Sequence, residues 1–301
     1  MRGRGVLRAV LAVLPAVPAA LLVLAVPASA FDRGDDWEHA KSVVRRLASD
    51  PPDGPVVYLL GGSSARECTV DDAGWGAQIA RKGVAGVSAF NLGSASQTYA
   101  QGLWLVQRAP DVPTLVLIGV SVGRYTPSYR APRDGVAGAP GDRAAGARTG
   151  GRAYVQHRFR TARPLPEKRA LVVKWLRERY PVFRARYADH AAVLPRLVAA
   201  CTERGFRPVI VELPLDEKVV GVAWDAALHT YRRACREVAA EHHVPCVDFV
   251  SDIGLATADF HDLTHLIHSG RVKWQERLSR LVAGRLAQYE LDFVAGSAGA
   301  P

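Results

Sequence analysis

Two short stretches of this chain carry residue types that together perform nucleophilic chemistry. One is Gly61-Gly62-Ser63-Ser64, directly after an apolar run ending at Leu60. The other is Asp262-Leu263-Thr264-His265-Leu266, with Gly270 close behind. A serine hydroxyl is too weak an acid to attack at neutral pH without a base. An Asp and a His three residues apart in a turn can point the same way. The carboxylate then holds one imidazole nitrogen and leaves the other to take the serine proton. The expected catalytic set is therefore Ser63, His265 and Asp262. Ser63 is preferred as the first side chain after the glycines, and Ser64 stays open as the competing nucleophile or as a substrate contact. Asp252, Asp259, His261 and His268 lie nearby as local alternatives. None of these has established metal-ligand spacing, so neither metal nor cofactor is expected.

Acyl chemistry also needs hydrogen-bond donors aimed at a developing oxyanion. The candidates are the backbone N–H of Ser63, that of Gly93 in Asn91-Leu92-Gly93, and the hydroxyl of Ser121 after Gly119-Val120. Glu67, Asn91 and Arg124 are candidate substrate contacts. Glu67 can equally fix the nucleophile loop, and Arg124 can meet an anionic group or face solvent.

The elements that must position these residues read as alternating strands and helices. Pro55–Leu60, Val87–Leu92, Thr114–Val120, Arg207–Leu213 and Val244–Phe249 are short apolar runs, the pattern of buried parallel strands. Helical patterns cover 36–48, 71–82, 97–108, 191–204 and 224–243. A last helix from a Ser269 cap to about Tyr289 completes the set. The strand–helix rhythm implies right-handed crossovers and a three-layer α/β/α fold with a mostly parallel, flavodoxin-like sheet. Ligands in such sheets collect at the carboxyl ends of the strands, where Ser63, Gly93 and Ser121 fall. Ala131–Ala153 is rich in Gly, Ala, Pro and Arg without an apolar period and reads as a loose excursion. One or two basic helices over 164–187 are expected near the rim of the site.

These residues resemble the SGNH hydrolases, the GDSL-like lipases and esterases. Gly61-Gly62-Ser63 matches the first block of that family, with Gly in place of Asp. Gly93 matches the oxyanion glycine of the second block, and Asp262-x-x-His265 the last block. The third block departs from the family, because Gly119-Val120-Ser121-Val122 lacks its oxyanion Asn. The resemblance covers about residues 54–290. It implies a Ser-His-Asp acyl-enzyme mechanism with Ser63 as nucleophile. Gly-Ser-Ser followed closely by Glu67 is also similar to the cell-envelope acyltransferase and deacylase branches. The resemblance thus implies a carboxylic-ester hydrolase acting on short acyl groups of a glycan or small ester. The alternatives are an O-acyltransferase on cell-envelope polymer and a non-catalytic wall-binding protein on a hydrolase fold.

The 301 residues suit one α/β domain, expected over 31–291, with a basic low-complexity insertion at about 125–165 and a disordered tail at 292–301. Arg2, Arg4 and Arg8, an uncharged stretch and Ala28-Ser29-Ala30 read as a secretory signal over residues 1–30, or a membrane anchor if uncleaved. Either reading places the body of the protein outside the cytoplasm. Four cysteines, Cys68, Cys201, Cys235 and Cys246, permit up to two disulfides in an exported chain. The net charge of +10 is concentrated, with sixteen Lys or Arg against four Asp or Glu over residues 124–188. That segment can face an anionic cell-envelope polymer. A nucleic-acid partner is not expected, since no binding module is recognisable.

Overall fold

The computed structural model describes residues 34–126, 154–248 and 252–297. The expected signal segment and the Ala131–Ala153 excursion lie outside the described residues. Helix α1 (Gly34–Ser49) leads to β1 (Val56–Leu60), the short α2 (Ser63–Arg66), α3 (Asp72–Ala80), β2 (Ser88–Asn91), α4 (Tyr99–Arg108) and β3 (Thr114–Val120). After a 3₁₀ turn at Val122–Tyr125 come α5 (Leu165–Glu178), α6 (Tyr180–Ala191), α7 (Val193–Glu203) and β4 (Arg207–Glu212). The chain closes with α8 (Glu217–Val220), α9 (Asp225–Glu241), β5 (Cys246–Val247) and α10 (His268–Ser297).

The five strands are parallel, in the order β2-β1-β3-β4-β5. Every residue of β1 and β3 is buried, as expected of central strands covered on both faces. Side chains alternate between the faces. Val56, Tyr58, Leu60, Val116, Ile118 and Ile210 join a core with residues of α1, α4, α7 and α9. Val57, Leu59, Leu115, Leu117, Val209 and Val211 join the opposite core, with Trp75 and Ile79 of α3 and Trp274, Leu278 and Val282 of α10. That alternation produces the three layers.

Several expectations change. The last strand shrinks to Cys246–Val247, and Phe249 lies outside the described residues. Ser269 does not cap α10, which begins at His268; its hydroxyl donates instead to Asp259 Oδ1 at 2.7 Å. Helix α10 runs through Ser297, past the expected end at Tyr289 and into the expected tail. All four cysteines are free thiols, three of them buried. A core of this size does not depend on cross-links.

Candidate active site

Strand β1 delivers the nucleophile turn to the carboxyl edge of the sheet. Gly61 is needed there, because a Cβ on it would stand 2.5 Å from the Ala65 methyl. Gly62 meets nothing within 4 Å and keeps an ordinary φ of −73°, so its glycine is not required for space. Ser63 then opens α2, with Gly62 as its N-cap.

The loop ahead of α10 delivers the other two residues. It is tied by His261 N–H to the His265 carbonyl at 2.7 Å and by Ile267 N–H to the Asp259 carbonyl at 2.9 Å. Asp216 N–H donates to the Leu263 carbonyl at 2.9 Å, anchoring the loop to the end of β4. Asp262 Oδ1 accepts the N–H groups of Thr264 at 2.9 Å and His265 at 3.0 Å, a local turn that fixes the carboxylate. Its Oδ2 lies 2.7 Å from His265 Nδ1. His265 Nε2 lies 2.8 Å from Ser63 Oγ. An ionised Asp262 only accepts, so Nδ1 carries the proton and Nε2 is the acceptor for the serine hydroxyl. Burial disfavours the Asp262 charge. The His265 charge and hydrogen bond and the two N–H donors outweigh that penalty and hold the carboxyl well below the usual aspartate range. The structure thus brings Ser63, His265 and Asp262 into one hydrogen-bonded line across two hundred residues of sequence.

The competing local pairs do not form. His261 Nδ1 contacts the Thr161 carbonyl at 2.7 Å, and its ring stacks on Phe159 at 4.3 Å. Asp259 accepts from Ser269, Lys273 and the Ala256 N–H. Ser64 is buried in the cavity wall beside Ser63, without the contact to His265 that Ser63 makes.

Three further expectations are corrected. Gly93 is not an oxyanion donor, because its N–H donates to Asn91 Oδ1 at 3.0 Å. Its glycine serves close packing instead: a Cβ would stand 2.4 Å from Arg66 N. Asn91 is not a substrate contact. Its amide donates to the Ala65 carbonyl at 2.8 Å and to Thr69 Oγ1 at 2.7 Å, clamping the back of the nucleophile turn. Glu67 is not a substrate contact either. It is wholly buried, accepting from Arg66 at 2.9 Å, Arg271 at 2.6 Å and the Arg158 N–H at 3.0 Å. Asp36, bound by Arg66 and by Arg158 at 2.7 Å, completes this network.

A cavity of about 430 Å³ opens beside Ser63, His265 and Asp262. Ser121 and Arg124, at the end of β3, line it as expected of site residues. Ser121 sits at the N-cap of the 3₁₀ turn, and its hydroxyl makes no capping hydrogen bond. The far wall is α5, which presents Leu171, Lys174, Trp175 and Glu178. The basic helices expected at the rim are therefore in place.

Two residues of the site were not anticipated. Phe159 packs on His265 with ring centroids 4.7 Å apart, and Arg271 holds its carbonyl at 2.7 Å. No spacing rule links an aromatic to a histidine a hundred residues away. Ser96 lines the cavity with φ +57°, a left-handed conformation that costs a non-glycine residue roughly 1–2 kcal/mol. Such strain clusters at functional sites. The signal in Ser94-Ala95-Ser96 was too weak to reveal it.

No protein-family model matches this chain, and no curated protein matches it. Solved structures with a similar course include a catalytic mutant of an acetylxylan esterase from Geobacillus stearothermophilus. It is 12% identical, with 76% of this chain and 94% of that chain covered and a TM-score of 0.46. A member of the lipolytic G-D-S-L family from Veillonella parvula is 12% identical, with 74% and 96% covered and a TM-score of 0.42. An alpha/beta hydrolase from a metagenome of Lake Arreo, Spain, is 15% identical, with 77% and 95% covered and a TM-score of 0.43. What the site can do follows from its own geometry.

Proposed function

We propose that this chain is a serine carboxylic-ester hydrolase that works through an acyl-enzyme and releases short acyl groups from a glycan or small ester. The observation that carries this is the 2.8 Å contact of Ser63 Oγ with His265 Nε2, whose other nitrogen lies 2.7 Å from a buried aspartate. Ser63 Oγ attacks the ester carbonyl and gives its proton to His265 Nε2. Asp262 stabilises the imidazolium that forms. Collapse of the tetrahedral intermediate passes that proton to the leaving alcohol. Water, deprotonated by His265, then attacks the acyl-serine and releases the acid. The Ser63 N–H and the Ser121 hydroxyl are the oxyanion donors of this reading.

The size of the cavity, open beside the nucleophile, fits a substrate with a bulky alcohol part. Export follows from the charged, apolar and small-residue pattern of residues 1–30. The test is a fluorophosphonate serine probe together with para-nitrophenyl acetate turnover. Wild type and Ser64→Ala label and hydrolyse; Ser63→Ala does neither. Labelling lost only in Ser64→Ala overturns the assignment of the nucleophile.

A further inference from the structure

The segment just ahead of α5 touches both halves of the triad. Its first part answers the nucleophile turn. Gln156 Nε2 donates to Thr69 Oγ1 at 3.0 Å, and His157 Nε2 lies 2.8 Å from the Thr69 carbonyl. The Arg158 N–H donates to Glu67 Oε1 at 3.0 Å. Its second part answers the loop that carries Asp262 and His265. The Thr161 carbonyl lies 2.7 Å from His261 Nδ1, and the Arg163 N–H donates to the His261 carbonyl at 2.9 Å. Phe159 stands between the two parts. Its carbonyl accepts from Arg271 at 2.7 Å, and the same guanidinium holds the Glu67 carbonyl at 3.0 Å and carboxylate at 2.6 Å. The backbone of Phe159 is thus fixed against the nucleophile turn while its side chain reaches the histidine loop.

That side chain meets two imidazoles. It stacks on His261 with 17° between the planes, and it meets the His265 ring at 45° with centroids 4.7 Å apart. Aromatic rings at such separations attract one another and favour particular orientations. Phe159 is half-buried and does not line the cavity beside Ser63, so it touches the base without touching the space where substrate sits. The polar partners of His265 are Asp262 at Nδ1 and Ser63 at Nε2. Hydrogen bonds at ring nitrogens lie near the plane of the ring, so they resist rotation of that plane about their own line only weakly. Once Ser63 is acylated, its proton is gone and the bond to Nε2 with it. The same nitrogen must then deprotonate water, with Asp262 alone to hold the ring by polar contact.

We propose that Phe159 is a positioning residue for His265. Its ring keeps the imidazole in the plane where Nε2 serves first Ser63 and then the water that attacks the acyl-enzyme. The flanking hydrogen bonds hold Phe159 in place, so the segment from Gln156 to Arg163 braces the two halves of the triad against each other. The inference rests on the ester-hydrolase reading and adds a residue outside the triad.

The experiment measures para-nitrophenyl acetate turnover and the rate of fluorophosphonate labelling, each per folded molecule as read by circular dichroism. Phe159→Ala is expected to lower kcat by about tenfold to a hundredfold, the cost of a base that is slightly misplaced. KM should not rise, because Phe159 makes no substrate contact. Labelling should slow as well, since the probe draws on the same base. Phe159→Tyr keeps the ring and is expected to restore kcat to within about threefold of wild type. Should Phe159→Ala fail to fold, Phe159→Leu decides, with kcat expected to fall about threefold or more for want of the flat face, again without a rise in KM. Wild-type kcat in the folded Ala or Leu variant, or a loss carried by a rise in KM, overturns the role of Phe159 and leaves the hydrolase reading intact. Wild type that neither labels nor turns over the ester overturns both.

Discussion

The two sides of the nucleophile turn are built on opposite electrostatic terms. Behind Ser63 the guanidinium groups have acids: Arg66, Arg158 and Arg271 share the two carboxylates of Asp36 and Glu67 in a buried network. In front, across the cavity, Arg124 is as deeply buried and has no acid. The rear network crosses long stretches of sequence, tying α1, α2, the segment before α5 and α10 together. Its worth is in fixing where Ser63 stands. The Arg124 guanidinium packs over Tyr99 and donates to the Gly119 carbonyl, while Nε and Nη2 stay buried without a partner. One buried arginine group is thus held by acids, and the other by a carbonyl and an aromatic ring.

The largest effect should come from the line that joins the two sides. Ser63→Ala and Asp262→Asn are each expected to lower kcat/KM by about 10⁴-fold or more, as in other triads. Ser63→Ala should not lower the melting temperature by more than a degree or two, because its side chain borders the cavity, whereas Asp262→Asn should cost more, since the depressed carboxyl pKa is itself a contribution to stability at neutral pH. Loss of folding along with activity in Ser63→Ala would mean that the nucleophile belongs to the scaffold, and the division between the two sides would collapse.

Next in size is the rear network. Glu67→Gln leaves Arg66 with Asp36 alone and takes the paired carboxylate from Arg271, and breaking a buried pair costs about 3–5 kcal/mol. At about 2–4 °C per kcal/mol for a domain of this size, the melting temperature should fall by roughly 10 °C, read by calorimetry or circular dichroism. Activity per folded molecule should fall far less than in Ser63→Ala. A Glu67→Gln protein of wild-type stability would show that the network is dispensable. Smaller again is Ser121→Ala on the front wall. Removing one oxyanion donor costs on the order of 10²-fold in kcat when the donor is well placed. A loss on the order of tenfold to a hundredfold, in kcat with KM unchanged, is expected here. An unchanged kcat removes Ser121 from the oxyanion role.

The sequence makes the scaffold legible where local pattern and burial coincide. Val56–Leu60 and Thr114–Val120 are continuous apolar runs because both faces are covered, and they form strands over those residues. Asp262 and His265 are legible because their contact is local, three residues apart within one turn. The errors arise where a side chain answers a backbone group that spacing does not reveal. Gly93 reads as an oxyanion donor until Asn91 Oδ1 is seen to take its N–H. Glu67, four residues past Ser63, and Asn91, at the end of the second strand, read as substrate contacts because they are polar and near strand ends, but both bond into the scaffold. Phe159 and Arg271 were illegible, since their contacts to His265 and Glu67 span more than a hundred residues. Arg124 was legible as a candidate, but its isolation from any acid is a property of the packing alone.

The smallest effect tests the paired side by its one poorly compensated acid. Asp72, at the start of α3, accepts the Asn91 N–H at 2.9 Å and so supports the clamp behind Ser63. Burial raises its pKa from 3.8 to about 6, and the Asn91 hydrogen bond only partly opposes that shift. The folded protein keeps this proton until about pH 6, whereas the unfolded chain loses it near pH 4. Between those values the folded state binds more protons, so this group's contribution to stability falls as pH rises and stays low above pH 6. Asp72→Asn keeps an oxygen for the Asn91 N–H and removes the charge. It also forfeits a favourable charge at a helix start, worth about 0.3–1 kcal/mol, less than the burial penalty it relieves. The variant should therefore melt a few degrees above wild type at pH 8, with the gap closing by about pH 4. A gap that is constant with pH, or that reverses sign at pH 8, would show that Asp72 is ionised and well paired. The acids behind the turn would then all be well compensated, and Arg124 would stand as the one arginine of the comparison without an acid.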